Sequence, residues 1–370
     1  MKFTCQKNEL VQAIQIVSKA VSSKPQMPVL SGIFLKAENN KLELQATDYE
    51  LGILCTIESE VEDPGMIVLS GRYLQEVIRK LPGENVTIAY DREEKIAKIN
   101  SNTANFTLRS MEANEFPTIH YLEGNLNFQI RDNILRDLVK KTVFACSNDE
   151  ARPVFTGCLM EVSDSSVTMA ATNTHRLSVK KEILDDFQGS IKIIIPSKVL
   201  NELLRIMVSE IPSNVEVCCS YNQISFKFEN VYLTSRLIEG QFPDYQRVIP
   251  PSFNTHVTLN TADFLSAVDR VSLIARAGEY NIIRLEFTSG QVRISSNNPD
   301  IGNAEEIVPA GVEGPEVNIA FNAKYVTDVL KNIDSETFHF SLNQSLNPAA
   351  VREENNDTFT YIVTPVRTAH

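Results

Sequence analysis

Glycine is scarce, 14 in 370 residues. None of them builds G-x-x-x-x-G-K-[ST], G-x-G-x-x-G or G-x-S-x-G, so phosphate-cradling loops and the nucleophile elbow are absent. The five histidines are dispersed, with no H-E-x-x-H. His175 is the one tempting general base, beside Thr172 and Thr174, but no orienting carboxylate stands at a matching spacing. A lone His beside strands is ordinarily packed or hydrogen-bonded, which argues against a hydrolase built on it. Six cysteines are scattered without a C-x-x-C pair, and the adjacent Cys218-Cys219 cannot easily bond each other. They read as small buried hydrophobes in a reducing compartment, so no disulfide framework, metal site or cofactor is expected. No apolar run approaches the roughly 18 residues that span a bilayer. The start, Met1-Lys2-Phe3-Thr4-Cys5, has no apolar signal-peptide core, so the expected location is the cytoplasm, with no membrane partner.

What is present is a repeat. The pairs Thr47-Asp48, Thr172-Asn173 and Asn297-Asn298 stand 125 positions apart. Each ends an alternating run that follows an apolar run and a polar turn: Asn39-Asn40, Ser163-Asp164-Ser165-Ser166 and Ser289-Gly290. Such turns reverse hairpins. Tyr73-Leu74, Val199-Leu200 and Tyr325-Val326 recur at 126, as do Phe116-Pro117 and Phe242-Pro243. A fixed period of this kind governs the reading of everything else.

Each third opens with a short strand, at Lys2 to Cys5, Asn127 to Ile130 and His256 to Leu259. A helix follows, with apolar stripes at Leu10, Ile14, Val17, at Ile134, Leu135, Leu138, Val139 and at Phe264, Leu265, Val268, Val271. A second strand and helix follow the hairpin, and Asn8, Ser70 and Ser197 are placed to cap helices. Each third is therefore itself double. Strands outnumber helices, and a helix buries its stripe against a sheet face, so the expected class is α+β, three repeated domains of two helices on two antiparallel sheets. The expected domains are 1–124, 125–253 and 254–370, with Gly124 and Pro250-Pro251 marking the breaks.

The six helical segments, 9–20, 71–81, 132–145, 198–207, 262–276 and 323–331, hold thirteen Lys or Arg and eight Asp or Glu. That is +5 within a chain of net −12, leaving −17 for the rest. Basic residues decorate any solvated helix face. Repeated six times in an acidic chain, they suit helices that face one anionic partner.

The threefold repeat, T-N-T-H-R-L at Thr172 to Leu177, F-P-D-Y-Q-R-V at Phe242 to Val248 and Y-I-V-T-P-V-R at Tyr361 to Arg367 together resemble the bacterial DNA polymerase III beta subunit family, the replicative sliding clamps. The family pattern reads T-D-G-H-R-L where this chain has Asn173-Thr174. The resemblance implies a non-catalytic processivity factor, a head-to-tail homodimer ring around duplex DNA with helices lining the hole and sheet outside. Phosphates attract Lys and Arg without asking for base sequence, which fits the helix charge. The resemblance places Lys24, Arg152, Lys198 and Arg205 against DNA. A three-domain arc leaves a strand edge at each end, expected at Asn105 to Arg109 and near Asn297 to Ile307, so Ile78, Phe106 and Leu108 are expected to pack against Leu273 and Ile274 at the dimer interface. The resemblance also places a pocket between the second and third domains, for short peptides of the replicative polymerase, the clamp loader, other polymerases and repair proteins. The matching positions are Phe155, Thr172, His175, Arg176, Leu177, Pro243, Arg247, Val248, Leu346, Pro348, Ile362, Thr364, Pro365, Val366 and Arg367. Apolar residues beside Pro-containing segments make a groove there physically reasonable. Arg176, Arg247 and Arg367 are expected at its rim. The competing expectation is a repeat-built peptide scaffold that never encircles DNA.

Overall fold

Six times along the chain a strand enters a helix, and a three-strand meander follows. The structure is a computed structural model that describes residues 1–22, 24–124, 126–163, 165–184, 189–208, 212–278 and 280–367. The first half-repeat is β1 (Lys2–Gln6), α1 (Lys7–Val17), β2 (Gly32–Glu38), β3 (Lys41–Thr47) and β4 (Leu51–Glu58). After a short β5 (Glu60–Asp63) come β6 (Gly65–Ser70), α2 (Gly71–Lys80), β7 (Asn85–Asp91), β8 (Ile96–Ser101) and β9 (Ala104–Met111). The middle third has β10 (Leu126–Arg131), α3 (Asp132–Lys140), β11 (Gly157–Ser163), β12 (Ser166–Thr172) and β13 (Arg176–Ile183). Its second half is β14 (Ser190–Pro196), α4 (Ser197–Ile206), β15 (Asn214–Cys219), β16 (Gln223–Phe228) and β17 (Val231–Arg236). The last third runs β18 (Thr255–Asn260), α5 (Thr261–Ala275), β19 (Ile282–Thr288), β20 (Gln291–Asn298), β21 (Gly302–Pro309) and a short β22 (Gly311–Glu313). It closes with β23 (Val317–Asn322), α6 (Ala323–Leu330), β24 (Thr337–Leu342), β25 (Ala349–Glu353) and β26 (Phe359–Val363).

The class is the expected α+β, with antiparallel sheets. Local chemistry explains the hairpins: Asn39 and Asn40 both have positive φ, 52° and 57°, as a tight two-residue turn requires. Gly290, at φ 81°, serves the third hairpin without a Cβ penalty. Of the second turn, Asp164 lies outside the described residues.

The helix starts differ from expectation. Strand β1 runs directly into α1, so Asn8 falls inside the first turn and Gln6 takes the cap position without a side-chain bond. Ser70 sits at the cap of α2 but makes no capping bond, and Ser197 is already the first residue of α4. In the last third the caps are asparagines: Asn260 Oδ1 accepts from Asp263 N at 3.0 Å and Asn322 Oδ1 from Lys324 N at 2.9 Å.

Each third exchanges its opening strands between halves. Strand β1 pairs with β7 and β6 with β2. The pattern repeats as β10 with β15, β14 with β11, β18 with β24 and β23 with β19. In the first third α1 packs on α2 and β4, and in the last α5 packs on α6, β20 and β21. The meanders also join across thirds: β17 pairs with β4, and β26 with β13. Sheets of 13, 9 and 4 strands result. Packing therefore groups the chain as two compact units, Met1–Asn133 with Glu202–Leu237, and Ile134–Asn201 with Ile238–His370.

Within the second unit, the β13–β26 junction has a charged underside. Arg176, Ser178 and Lys180 alternate on one face of β13, and all are buried. Ser178 Oγ donates to the Lys141 carbonyl, while Lys180 Nζ lies 3.0 Å from Asp137 and 2.7 Å from Glu182. Burial alone would push the Lys180 ammonium pKa down, but its bonds to Glu182 and Asp137 outweigh burial and raise it. Lys141, itself buried, pairs with buried Glu353, donates to the Asn332 carbonyl at 2.5 Å and reaches Asp334 at 3.0 Å.

Removing one partner of a buried ion pair strands the other, at a cost of about 3–5 kcal/mol. Lys141→Ala is expected to lower stability by that amount in urea unfolding. The exposed control Lys192→Ala, which breaks only the surface pair with Glu161, should cost less than about 1 kcal/mol. Equal small losses for both would show that the Lys141 site is solvated.

Candidate functional site

In the second unit, over the β13–β26 pair, lies a groove of about 560 Å³. Leu177 of β13 and Ile362 of β26, directly paired in register, form its floor. One wall is the segment Phe242 to Pro251, which holds three prolines and so cannot join a ladder. Its Phe242 and Tyr245 rings are buried beneath, in one apolar cluster with Leu177 and Ile362. Tyr245 donates to Glu161 at 3.1 Å, and burial, then that carboxylate, pushes its pKa up to about 12. Anchored this way, the short helical turn Tyr245–Val248 leaves Val248 53% exposed and Arg247 paired to Asp244 at 2.8 Å.

The opposite wall is the turn from Thr172 to Arg176. Thr172 Oγ1 donates to the Arg176 carbonyl at 2.6 Å and accepts from Thr174 N at 3.1 Å. Asn173 Oδ1 accepts from the backbone N–H groups of His175 and Arg176, at 3.0 and 3.1 Å. The first third holds the same turn: Thr47 Oγ1 accepts from Tyr49 N, and Asp48 Oδ1 from Glu50 N and Leu51 N. Both turns need a left-handed residue, Tyr49 at φ 74° and Thr174 at φ 76°.

Of the fifteen residues expected around a pocket, ten line this groove: Phe155, Thr172, Arg176, Leu177, Pro243, Arg247, Val248, Pro348, Ile362 and Thr364. His175 lies outside it, its ring stacked 6.4 Å from that of Tyr325 and its carbonyl accepting the Thr364 N–H and hydroxyl. Leu346 is exposed in a turn where Asn347 N bonds the Gln344 carbonyl. Pro365, Val366 and Arg367 run on past the groove, and Val366 N is tied to the Ala320 carbonyl at 2.8 Å. Thr174, Asp244, Tyr245, Ile249, Pro250 and Pro251 line the groove without having been singled out. The sequence carries a signal for them, since Asp244 and Tyr245 belong to the F-P-D-Y-Q-R-V motif and Pro250-Pro251 mark the expected domain break.

Two expectations need correction. Arg176 is no rim residue: it is 6% exposed, with Nη1 2.6 Å from Asp328 and Nη2 on the Phe144 carbonyl. Its guanidinium also lies 4.7 Å from the Tyr325 ring centre, so it is a strut beneath the turn. Ile78 is 1% exposed, on the core side of α2, because the α2 stripe of Leu74 and Ile78 packs inward. It has no surface to offer a partner.

The other expected contacts are at the surface. Phe106 on β9 is 43% exposed and Leu273 on α5 63%, with Leu108 and Ile274 half-buried beside them. Lys24 and Arg152 are exposed on loops. Lys198 and Arg205 stand seven residues apart on the exposed face of α4, opposite buried Val199, Leu200 and Leu203. Arg205 is held by Glu202 at 2.6 Å. The site thus consists of an apolar groove and separate exposed cations, with His175 packed on a tyrosine ring.

Comparison with known proteins agrees along the whole chain. The family models for the N-terminal, central and C-terminal domains of the DNA polymerase III beta subunit match residues 1–120, 129–244 and 246–367. The curated beta sliding clamp of Bacillus subtilis is 36% identical, with all of both chains covered. The crystal structure of the Bacillus subtilis DNA polymerase sliding clamp superposes with a TM-score of 0.94 over all of both chains, at 36% identity. A Pseudomonas aeruginosa sliding clamp bound to griselimycin gives 0.93 at 31% identity, again over all of both chains. The chain belongs to the DNA polymerase III beta subunit family.

A β-branched residue at positive φ carries roughly 1–2 kcal/mol of strain. Thr174→Gly should therefore raise stability by about 1 kcal/mol in urea unfolding, after the loss to unfolded-chain entropy. A fall in stability would mean that contacts of the Thr174 side chain outweigh its backbone strain.

Proposed function

We propose that this chain is a sliding clamp: a head-to-tail homodimer that closes around duplex DNA and tethers the replicative polymerase, itself without catalysis. The observation that carries this is a pattern of strand edges. At both internal junctions the last strand of one third pairs with the last strand of the first half of the third before it, β17 with β4 and β26 with β13. The same rule applied to the first third asks β9 to pair with β21. Among the described residues both have an open edge: beyond its ladder with β8, β9 meets β6 at only two residue pairs, and β21 pairs with β20 alone. Open edges of this length attract another strand. A second copy satisfies both, each chain giving β9 to the other's β21, and two heterologous contacts close the assembly.

Three domains, 1–124, 125–253 and 254–370, are the units of this assembly. Exposed Lys24, Arg152, Lys198 and Arg205 supply cations to phosphates without reading bases, which lets the ring move along DNA. The groove over β13 and β26 takes short peptides of the polymerase, the clamp loader, other polymerases and repair proteins. Leu177 and Ile362 offer an apolar floor, and Val248 an exposed apolar wall. Peptides that order on binding give affinities near micromolar, about −8 kcal/mol, which permits exchange between partners.

Leu273 and Phe106 are the exposed apolar anchors beside the two open edges, each worth on the order of 2 kcal/mol at the centre of an interface. The pair of substitutions Phe106→Ala and Leu273→Ala should weaken each of the two contacts about a thousandfold, and the loss falls on both contacts of the ring. Light scattering is expected to show twice the 41.4 kDa chain mass for the parent protein and 41.4 kDa for the variant at the same submicromolar concentration. A monomeric parent protein would remove the ring.

In the groove, Val248→Asp places a charge at an exposed wall without touching the core. It should weaken binding of a short glutamine, aliphatic and aromatic peptide about a hundredfold, roughly 2.7 kcal/mol, in isothermal titration, with dimer mass unchanged. Leu177→Asp is the poorer probe, since Leu177 is buried and a charge there unfolds the floor. Unaltered affinity in the Val248 variant would place peptide binding elsewhere.

A further inference from the structure

Two cysteines that the proposed clamp function does not use stand together in the second unit. Cys146 Sγ and Cys158 Sγ are 3.5 Å apart, both unbridged. Cys158 is fully buried at the start of β11, whereas Cys146 is only partly buried. They close off the segment 147–157, which Ser147 N fastens to the Phe155 carbonyl at 2.8 Å. That segment carries exposed Arg152 and the groove residue Phe155.

We propose that Cys146 and Cys158 form a peroxide-responsive dithiol, oxidised to an intramolecular disulfide that closes the 147–157 segment. Geometry divides the roles. Cys146 is the less buried of the two and so the one a small hydroperoxide meets first. Cys158 is enclosed, and burial, then its contact with Cys146, pushes its thiol pKa well up, which leaves it unreactive toward an oxidant it cannot meet. The Cys146 thiolate attacks one peroxide oxygen, the O–O bond breaks, and hydroxide leaves to take a proton; Cys146 becomes a sulfenic acid. Cys158 sulfur then attacks the electrophilic Cys146 sulfur. The S–O bond breaks, the Cys158 proton goes to the departing hydroxide, and water leaves. Two thiols lose two electrons and the peroxide gains them. No third thiol is required, and the neighbour at 3.5 Å makes disulfide formation faster than further oxidation of Cys146.

The test is a thiol count on the full-length protein. Reduced protein exposed to hydrogen peroxide, quenched and denatured, should fall from six titratable thiols to four. Its mass should drop by about two hydrogens, with Cys146 and Cys158 joined in one cross-linked peptide. Dithiothreitol should restore six. Cys158→Ala should leave Cys146 as a sulfenic acid trapped by a cyclic 1,3-dione, and Cys146→Ser should leave Cys158 unmodified. Six thiols after peroxide in the parent protein would overturn the proposal. So would the same loss of two in the Cys146→Ser variant, which would assign the bond to a pair among the other five cysteines.

Discussion

A strand edge leaves backbone N–H and C=O groups that must find partners, and this constraint organises the whole chain. Each half-repeat ends its meander with such an edge. Five residue pairs from Val231 to Ser235 satisfy the edge of β4, and five from Phe359 to Val363 satisfy that of β13. Both junctions thus rest on main-chain bonding, which tolerates sequence change. The turns Thr47-Asp48-Tyr49 and Thr172-Asn173-Thr174 beside these joints keep one geometry through the same side-chain acceptors for backbone N–H groups. The groove depends on the same joint, since its floor consists of two residues paired across it, Leu177 and Ile362.

What main-chain bonding leaves unspecified, buried charge supplies. Beneath the β13–β26 joint, Arg176 reaches Asp328 on α6 and Lys141 reaches Glu353 on β25. A one-residue slip of β26 along β13 would turn each side chain to the wrong face. Desolvated pairs contribute little net stability, and these two tie β13 to α6 and the end of α3 to β25. The register in turn sets where the Thr172–Arg176 turn stands relative to Val248 and Thr364, the two sides of the groove.

The repeat was legible because 125-residue spacing of turn residues survives when side chains do not, and the six strand-helix starts followed from it. The exchange of β1 and β6 between halves was not legible. Which alternating strand pairs with which is a long-range choice that local pattern does not encode. Ile78 and Arg176 show the same limit at single residues: a motif marks a position, and only packing shows whether its side chain faces a partner or the core. Asn8 and Ser197 fall inside their helices because the strand before each runs into it without the expected polar turn, and Ser70 holds the cap position without making the bond. The groove was better read, since Pro243, Val248 and Thr364 lie in motifs whose prolines already preclude ladder pairing.

The central claim is topological, that two copies joined through β9 and β21 hold DNA by enclosing it. The most direct measurement is retention on DNA of defined topology. The protein is assembled by a bacterial clamp loader on closed circular duplex and passed through gel filtration in high salt, where charge contacts are screened. The account predicts that it elutes with the intact circle and is released once a single restriction cut makes the DNA linear. Equal retention on both, or loss from both as salt rises, would show that the protein binds DNA through its surface and does not enclose it.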